Sequence, residues 1–459
     1  MGGAFEPARG RAAAGLNPRA AAHRILGEVR RGTLSDRAAS RVLPAVDPAD
    51  RGLALDIAFG CLRLRARLDA WIGACADRPP SRMDRAVRDW LRIGVYQLTE
   101  LRTPDHAAVG ETVGAARSVL GRRRAGYVNA VLRALARRRD ADSGGGADAR
   151  AAGGAGAPAG GDPFPDPDED PVGHLCSWGS HPEWLVRRWL ARWELADVRR
   201  LVEQHNRPPD VVVRMLSGGD PAPPDGVELE PVPGWPRSYR LERGLPETAL
   251  SHLRAVVQDP AASAVVDYTG DRLAEPVLDV CAAPGTKALG LAAGYGVPVV
   301  ALDISHRRLV RLGAPARRLG LPVSAAVADA RRLPVAEAGT VLADVPCTGT
   351  GVLRRRADAR WRLEQRGLDD LVALQREIVD ACAAAVRPGG LLVYSTCSLE
   401  REENEGQVDA FLDRRRDYRR DLPGAGVRSD CVTPRGDLFV RPWLTGTDGA
   451  YAARLRRIA

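Results

Sequence analysis

Two cysteines, Cys347 and Cys397, are the residues best placed for covalent chemistry, because each closely follows a short run of apolar, strand-forming residues. A thiolate is a strong nucleophile, and a neighbouring positive charge or helix N-terminus lowers its pKa. Attack of a thiolate on carbon 6 of a pyrimidine makes carbon 5 nucleophilic enough to take a methyl group. An acid near ring nitrogen 3 then stabilises the charge that develops. Asp344, three residues before Cys347, supplies such an acid.

Two further aspartates and one lysine stand at comparable positions. Asp303 and Asp329 come at or just after the ends of other apolar runs, and Lys287 follows the first of these runs. Lys287 is the only lysine among the 67 basic residues, which suggests that a compact ammonium is needed where a flat guanidinium does not fit. Helix capping explains any one of these acids. It does not easily explain three acids, two thiols and a lone lysine together.

A tight loop after the first apolar run indicates where a ligand approaches the backbone. The loop consists of Cys281, Ala282, Ala283, Pro284, Gly285, Thr286 and Lys287. It has neither the G-x-x-x-x-G-K-[ST] nor the G-x-G-x-x-G spacing, so a phosphate-rich ligand is not expected. An Ala-Pro-Gly turn suits close approach of a ligand at a helix N-terminus. With Asp303 placed to hold ribose hydroxyls, the pattern favours a nucleoside-bearing cofactor, of which S-adenosylmethionine is the common one.

Strands and helices alternate through residues 256–459, and these elements must position the site. The strand-forming runs are Val277–Val280, Val297–Leu302, Val323–Val327, Thr340–Ala343 and Gly390–Tyr394. Helical stretches such as Ser305–Leu319 and Leu371–Val386 separate most of them. This order predicts an α/β, Rossmann-like domain with a parallel, doubly wound sheet. Ligands gather beyond the carboxyl ends of such strands, which is the edge where the thiols, acids and lysine would meet.

The rest of the chain is predicted to contain a helical domain, a linker and a small α/β segment. Residues 1–140 repeat apolar side chains every three or four positions, as in Asp84–Leu98, which predicts an all-α bundle. Residues 141–171 consist mostly of Gly, Ala, Pro and Asp and predict a flexible linker. In residues 172–255, a tryptophan-bearing helix and the strand Val211–Met215 predict a small α/β segment.

Charge and composition narrow the class of protein. The 459-residue chain has a net charge of +9, and residues 1–140, with 26 arginines against 14 acidic residues, carry +12. A domain this basic is expected to meet a polyanion, although a solvated surface in an arginine-rich protein would look the same. Without a long apolar run or a signal-peptide pattern, we expect a cytoplasmic monomer that does not associate with membranes. No C-x-x-C pair occurs among the eight cysteines, so no metal is expected.

Several motifs resemble those of the RNA cytosine-C5 methyltransferases. The most specific are Cys281–Lys287, Asp344-Val-Pro-Cys347-Thr-Gly-Thr-Gly351 and Tyr394-Ser-Thr-Cys397-Ser398, supported by Gln258–Ser263 and Glu402-Glu403-Asn404-Glu405. Residues 19–136 resemble the helical, antitermination-type (NusB-like) RNA-binding domain that one branch of the family carries. The resemblance covers nearly the whole chain outside the linker.

The resemblance implies roles for individual residues. Cys397, in the Thr-Cys-Ser motif, is expected to be the nucleophile that bonds to carbon 6. Cys347, in the Pro-Cys motif, is expected to assist release of the methylated product. The S-adenosylmethionine site is expected to comprise residues 281–287 with Asp303 at the ribose, Asp329 beside the adenine, and Asp344 facing both cofactor and cytosine.

Two positions depart from the family pattern. Thr286 stands where the family usually has a glycine, and a β-branched side chain is strained there if the backbone requires a positive φ. Cofactor affinity is the property that such strain would affect. Ala357 replaces the usual proline before Asp358, which is a milder change.

The substrate expected from the resemblance is small-subunit (16S) ribosomal RNA. A target cytosine must be unstacked before a thiolate can reach it, and the basic segments 354–366 and 307–318 are candidates to hold the RNA backbone. One alternative is the same chemistry on tRNA, although the NusB-like domain favours ribosomal RNA. Another is a catalytically inactive RNA-binding assembly factor, which the intact Cys347 and Cys397 disfavour. A nicotinamide dehydrogenase fits poorly, because the glycine fingerprint is absent.

Overall fold

The computed structural model describes residues 15–144, 161–270, 273–424 and 426–458. The chain forms two compact units. The first contains the residues up to Asn206 together with Arg356–Trp361, and the second contains Arg207–Arg355 and the residues from Arg362 onward. This division differs from the boundaries at 171 and 255 suggested by the sequence. Of the proposed linker, residues 145–160 lie outside the described residues.

The described part of the first unit is helical. Its helices are α1 (Pro18–Arg30), α2 (Ser35–Val42), α3 (Arg51–Arg63), α4 (Arg65–Cys75), α5 (Arg85–Thr99), α6 (Asp105–Leu120), α7 (Arg122–Gly144), α8 (Pro171–Ser177), α9 (Glu183–Leu190) and α10 (Leu195–Asn206). The Asp84 carboxylate begins α5 by accepting hydrogen bonds from the Ala86 and Val87 amides. The apolar repeat of α5 then turns Trp90 and Leu91 into the core. The all-α prediction for residues 1–140 is confirmed over the described residues 15–140.

Two segments that the sequence assigned elsewhere take part in this unit. Phe164, from the end of the proposed linker, packs edge-on against Trp71 with ring centroids 5.8 Å apart. Arg360 is fully buried and donates hydrogen bonds to the carbonyls of Arg63 at 2.9 Å and Ser180 at 3.0 Å. These backbone acceptors hold the segment 356–361 in the helical unit, even though it lies far away in sequence.

The second unit begins with a small antiparallel sheet. Its elements are β1 (Val212–Met215), β2 (Glu228–Pro231), β3 (Ser238–Arg243), α11 (Pro246–His252) and β4 (Ala255–Val257). The strand order is β2-β3-β1-β4, and each neighbouring pair is antiparallel. The expected α/β character of this segment is therefore present in residues 212–257.

A larger sheet of eight strands follows. Its elements are α12 (Pro260–Thr269), β5 (Val277–Val280), α13 (Thr286–Tyr295), β6 (Val299–Asp303), α14 (His306–Leu319), β7 (Val323–Val327), β8 (Ala338–Asp344), α15 (Gln365–Ala385), β9 (Val386–Thr396), α16 (Glu405–Arg414), β10 (Tyr418–Arg420), β11 (Leu438–Val440), α17 (Pro442–Thr445) and β12 (Ala450–Arg457). The order is β10-β12-β9-β8-β5-β6-β7, with β11 paired to β12.

Five strands of this sheet, β5 to β9, run parallel, as the sequence predicts. β12 pairs antiparallel with β9, β10 and β11, so the sheet is mixed rather than wholly parallel. β10 and β11 therefore run in the same direction as β9, and among the described strands of this sheet β12 is the one that runs the other way. The Rossmann-like fold predicted from the sequence is confirmed.

Register brings the predicted site to one edge. Asp344 at the end of β8 lies level with Ser395 near the end of β9, and Asp303 at the end of β6 lies level with Val327 of β7. The loops after these strands therefore leave from the same side of the sheet. Across the described residues, no helix has the length and apolarity to cross a membrane.

Candidate active site

The thiols of Cys347 and Cys397 face each other. Their sulfur atoms are 3.4 Å apart, and both side chains are partly exposed. Cys347 comes from the loop after β8, and Cys397 directly follows β9. The hydrogen bond to Cys397, followed by burial, raises the pKa of Cys347 well above its usual value. The pair therefore favours a proton on Cys347.

Asp344 forms hydrogen bonds with the lone lysine and with Ser395, which lies two residues before Cys397. One carboxylate oxygen accepts a hydrogen bond from Lys287 Nζ at 2.6 Å, and the other accepts one from Ser395 Oγ at 2.8 Å. Burial alone would lower the pKa of Lys287, but the Asp344 carboxylate outweighs it and raises that pKa. Cys397 also acts electrostatically on Lys287 in the same direction. An ammonium, a carboxylate and a thiol thus share one small site.

The loop from 281 to 287 turns sharply at two residues. Cys281 has φ 62° and Gly285 has φ 102°, and a Cβ on Gly285 would lie 2.4 Å from Leu312 Cδ1. Gly285 is the residue that requires the left-handed backbone. Thr286 is already the first residue of α13 and has no positive φ. The strain expected at Thr286 does not occur.

The two remaining acids lie at the ends of neighbouring strands, and each has fixed partners. Asp303 is almost fully buried and accepts hydrogen bonds from the amides of Ala283 at 3.1 Å and Ser305 at 2.8 Å. Arg308 also donates to both of its oxygens. Hydrogen bonds from the Arg331 side chain, and then from its amide, lower the pKa of the more exposed Asp329 to about 2. Asp329 is therefore ionised at neutral pH.

A fourth acid near this site, Asp279 of β5, was not singled out as a site residue. Its side chain is 0% exposed, and burial, followed by repulsion from Asp344, raises its pKa to about 8. A buried carboxyl with a raised pKa keeps its proton, because its ionised form is poorly solvated. Asp279 therefore keeps its proton at a buried position where the charges of Asp344 and Lys287 act on it.

This protonation makes stability depend on pH in a defined direction. Between an unfolded pKa of about 4 and the folded value of about 8, the folded state binds one proton more than the unfolded state. Stability therefore falls as pH rises through this window, by up to ~1.4 kcal/mol per pH unit. Asp279→Asn is expected to remove this term, so its melting temperature relative to the wild type should rise steadily from pH 5 to pH 8. A constant difference over that range would contradict the protonated carboxyl.

A network of charged residues, which the sequence did not reveal as a unit, surrounds the loop after Cys347. Asp448 accepts hydrogen bonds from Arg354 and Arg355, each at 2.6 Å, and Asp259 accepts from the same two arginines at 2.9 and 2.8 Å. Nearby, the Gly351 amide donates to the Cys397 carbonyl at 3.0 Å. Arg354, which was expected to hold RNA, is instead buried in ion pairs.

Comparison with known proteins agrees with this geometry. Residues 270–456 match the family described as 16S rRNA methyltransferase RsmB/F, and residues 16–137 match the NusB family. Ribosomal RNA small subunit methyltransferase B of Cronobacter sakazakii is 30% identical over 442 residues, covering 91% of this chain and 94% of the relative. The protein of the same name from Salmonella typhi is 32% identical over 402 residues, covering 82% and 86%. The chain belongs to the RsmB/F family of 16S rRNA methyltransferases.

Two solved structures share the fold of this RsmB/F family member. The crystal structure of PH0851 superposes with a TM-score of 0.72 at 20% identity, covering 96% of this chain and 99% of that one. A methyltransferase homologue from Pyrococcus horikoshii gives 0.51 at 21% identity, covering 64% and 100%. The family assignment and these superpositions confirm a NusB domain followed by a Rossmann-like methyltransferase domain.

S-adenosylmethionine is the cofactor of this RsmB/F family member, and the strand-end residues fit it. Ile304, directly after Asp303, is 65% exposed, and Val327, level with Asp303 on β7, is 54% exposed. Apolar surface beside a buried carboxylate suits an adenosine, whose base is flat and whose ribose carries hydroxyl donors. Ile304 was missed from the sequence, although an apolar residue immediately after a strand-ending acid is a readable signal.

The structure brings together the catalytic residues suggested by the sequence and places the cofactor candidates around them. Cys347, Cys397, Asp344 and Lys287 form one cluster, while Asp303 ends β6 and Asp329 follows the adjacent strand β7. The individual roles remain predictions. No group of three His, Cys, Asp or Glu side chains among the described residues is arranged to hold a metal ion.

Proposed function

We propose that this protein transfers a methyl group from S-adenosylmethionine to carbon 5 of a cytosine in small-subunit (16S) ribosomal RNA through a covalent cysteine–cytosine intermediate. The observation that carries this proposal is the pair of sulfur atoms 3.4 Å apart, beside Asp344 and Lys287. A methyltransferase that uses its cofactor on an already nucleophilic atom needs no thiol. Two thiols at one strand edge support a substrate carbon that must first be activated.

Cys397 opens the reaction. Its thiolate forms a bond to carbon 6, and the electron pair of the 5,6 double bond moves to carbon 5. S-adenosylmethionine supplies the methyl group that carbon 5 then takes up. Carbon 5 next loses its proton to a water molecule, the electron pair of that C–H bond reforms the 5,6 double bond, and the bond between carbon 6 and the Cys397 sulfur breaks to return the thiolate. Cys347, in contact with that sulfur, assists the elimination.

Asp344 and Lys287 assist the addition step. Negative charge spreads from carbon 5 to the N3 side of the ring when the thiolate adds, so a group that shares a proton with N3 stabilises it. The two oxygens of Asp344 are fixed by Lys287 and Ser395, which limits the orientations of the carboxyl. Such preorganisation lowers the cost of rearranging the site during the reaction.

The helical unit supports an RNA substrate. A cavity of about 450 Å³ is lined by Arg78, Arg123, Arg124, Tyr127, Met83, Asp84 and Val87. The Arg78 guanidinium lies 5.3 Å from the centre of the Tyr127 ring, and Asp77 fixes both side chains. Arginines beside an aromatic ring suit a nucleic acid, because they neutralise phosphates while the ring stacks on a base. The curated relatives are named for ribosomal RNA of the small subunit, which favours that RNA over tRNA.

Reversing charge at this cavity tests its RNA contact. The double substitution Arg123→Glu and Arg124→Glu is expected to weaken RNA binding by about tenfold or more and to reduce its dependence on salt, because phosphate contacts release counterions. Both side chains are exposed, so folding should not change. S-adenosylmethionine binding, measured by calorimetry, should stay the same. As a matched control, Arg31→Glu with Arg37→Glu changes the same charge outside the cavity; an equal loss of RNA affinity in this control would refute the assignment.

One experiment tests the proposed function directly. The full-length protein is incubated with methyl-labelled S-adenosylmethionine and either unmodified small-subunit ribosomal RNA or tRNA, and 5-methylcytosine is mapped in each. We expect label at carbon 5 of cytosine in the ribosomal RNA alone. Label in tRNA only would support the alternative substrate. RNA binding without any transfer would support an inactive assembly factor.

A further inference from the structure

The Glu402–Glu405 motif matches the family pattern, but the proposed chemistry gives it no task. Glu403 is fully buried against the loop that carries Cys347. Its carboxylate accepts a hydrogen bond from the Thr348 amide at 2.8 Å and another, very short, from the Thr348 hydroxyl. Gln375 Nε2 donates to it at 2.9 Å. Because Thr348 directly follows Cys347, Glu403 fixes the backbone on the C-terminal side of that cysteine.

Asn404, the next residue, fixes the other cysteine from both sides. It is fully buried, and its Oδ1 accepts a hydrogen bond from the Thr396 hydroxyl at 2.6 Å. Its Nδ2 donates to the Ser398 carbonyl at 2.9 Å. Thr396 and Ser398 are the immediate neighbours of Cys397. One amide side chain therefore spans the nucleophile.

The two attachments are joined to each other. Thr348 Oγ1 lies 3.1 Å from Ser398 Oγ, and the Tyr394 hydroxyl donates to the Glu403 carbonyl at 2.7 Å. Consecutive residues of one backbone segment thus hold the loop after β8 and the end of β9. The residues on either side of the thiol pair are therefore attached to one short segment.

We propose that Glu403 and Asn404 are positioning residues of the methyltransferase, with Glu403 placing Cys347 for product release and Asn404 placing Cys397 for attack. This inference rests on the proposed function. A positioning role differs from a general contribution to folding, because Glu403 fixes the surroundings of one cysteine and Asn404 those of the other. The two substitutions should therefore disturb different steps of the reaction.

The test measures first-turnover methyl transfer and the fraction of protein held as a covalent RNA adduct on a denaturing gel. In Glu403→Gln, the charge and one acceptor oxygen are lost. The remaining oxygen can still accept from the Thr348 amide, but an NH2 group replaces the oxygen that accepts from the Thr348 hydroxyl, so the anchor of the loop carrying Cys347 is weakened. We expect the adduct fraction to rise several-fold with first-turnover transfer nearly unchanged. In Asn404→Ala, we expect first-turnover transfer to fall by about 10- to 100-fold, as for a misplaced reacting group, and the adduct to fall with it.

Matched variants separate positioning from general damage. Glu402→Gln makes the same change one residue earlier on an exposed side chain and should behave as the wild type. Thr348→Val removes the hydroxyl that Glu403 accepts and should also raise the adduct, which gives a second measurement if Glu403→Gln does not fold. Adding Glu403→Gln to Cys347→Ala should change the adduct no further, because the sulfur that Glu403 places is already absent.

The failure of this inference is distinguishable from the failure of the proposed function. If the wild-type protein transfers no methyl group, the proposed function is wrong. If the wild type is active but Glu403→Gln and Asn404→Ala both lower transfer and adduct together, the two residues only support folding and the inference is overturned. Behaviour of both variants like Glu402→Gln would overturn it as well.

Discussion

Cys397→Ala is expected to reduce methyl transfer to RNA by about a thousandfold or more, since the variant has no sulfur to bond to carbon 6. Cys347 cannot take over this role. The substitution removes the hydrogen bond between the two sulfur atoms, but burial still raises the pKa of Cys347, so this thiol holds its proton where an attacking thiolate is needed. Without addition at carbon 6, carbon 5 of cytosine is too weak a nucleophile to accept a methyl group. The loss should therefore appear in the rate of transfer.

Measuring the affinity for S-adenosylmethionine shows whether Cys397→Ala has lost the methyl-transfer step itself or the binding of the cofactor. S-adenosylmethionine affinity of Cys397→Ala should match the wild type, because Asp303 is held by the amides of Ala283 and Ser305, and Lys287 keeps its hydrogen bond to Asp344. The matched control is Cys75→Ala, which removes a half-buried thiol from the helical unit and should leave transfer unchanged. Substantial 5-methylcytosine formation by Cys397→Ala, mapped in small-subunit RNA, would contradict the assigned nucleophile.

Local patterns were sufficient to predict the elements that carry the site. Val277–Val280 and Val323–Val327 are strands with the predicted bounds, and the predicted helix at Ser305–Leu319 begins one residue later, at His306. Val277–Val280 is buried along its whole length, as is typical of apolar runs in a parallel sheet, whereas the edge strand Val323–Val327 is largely exposed. Since parallel strands end at one edge, the order of the runs was enough to predict that Cys347 and Cys397 would meet.

Long-range contacts explain what the sequence did not reveal. Arg360 belongs to the helical unit because backbone carbonyls distant in sequence accept its hydrogen bonds, and no periodicity records such acceptors. The ion pairs of Arg354 with Asp259 and Asp448 are hidden for the same reason. The basic segment at 354–366 therefore looked like an RNA-binding surface, although part of its charge is neutralised inside the protein.

The roles of neighbouring residues also depend on geometry that spacing does not contain. The sequence predicted that a positive φ would strain the backbone at Thr286. The positive φ is instead at Gly285, and Thr286 begins a helix. The motif at 402–405 was recognisable, yet its contacts with Thr348 and Thr396 follow only from the pairing of β8 with β9. The motifs indicated which residues belong to the site, and the pairing of the strands shows which neighbours each of these residues contacts.

Cys347→Ala is expected to produce the opposite outcome to Cys397→Ala, namely a covalent adduct between protein and RNA that survives denaturation. Addition at carbon 6 and methyl transfer require Cys397, Asp344 and the cofactor, all of which this variant retains. Elimination requires the proton to leave carbon 5 and the Cys397 sulfur to leave carbon 6, and the group assigned to assist these steps is absent. The intermediate should therefore accumulate to a large fraction of the protein within one turnover.

The composition of this adduct discriminates between mechanisms. It should contain one RNA per protein and carry the labelled methyl group, because the block follows transfer. The double variant Cys347→Ala with Cys397→Ala should form none, since the bond to carbon 6 is made by Cys397. Steady turnover by Cys347→Ala without an adduct would show that another group completes the elimination. An adduct that lacks the methyl group would place Cys347 before transfer, and its contact at 3.4 Å with the nucleophile would then serve to activate Cys397.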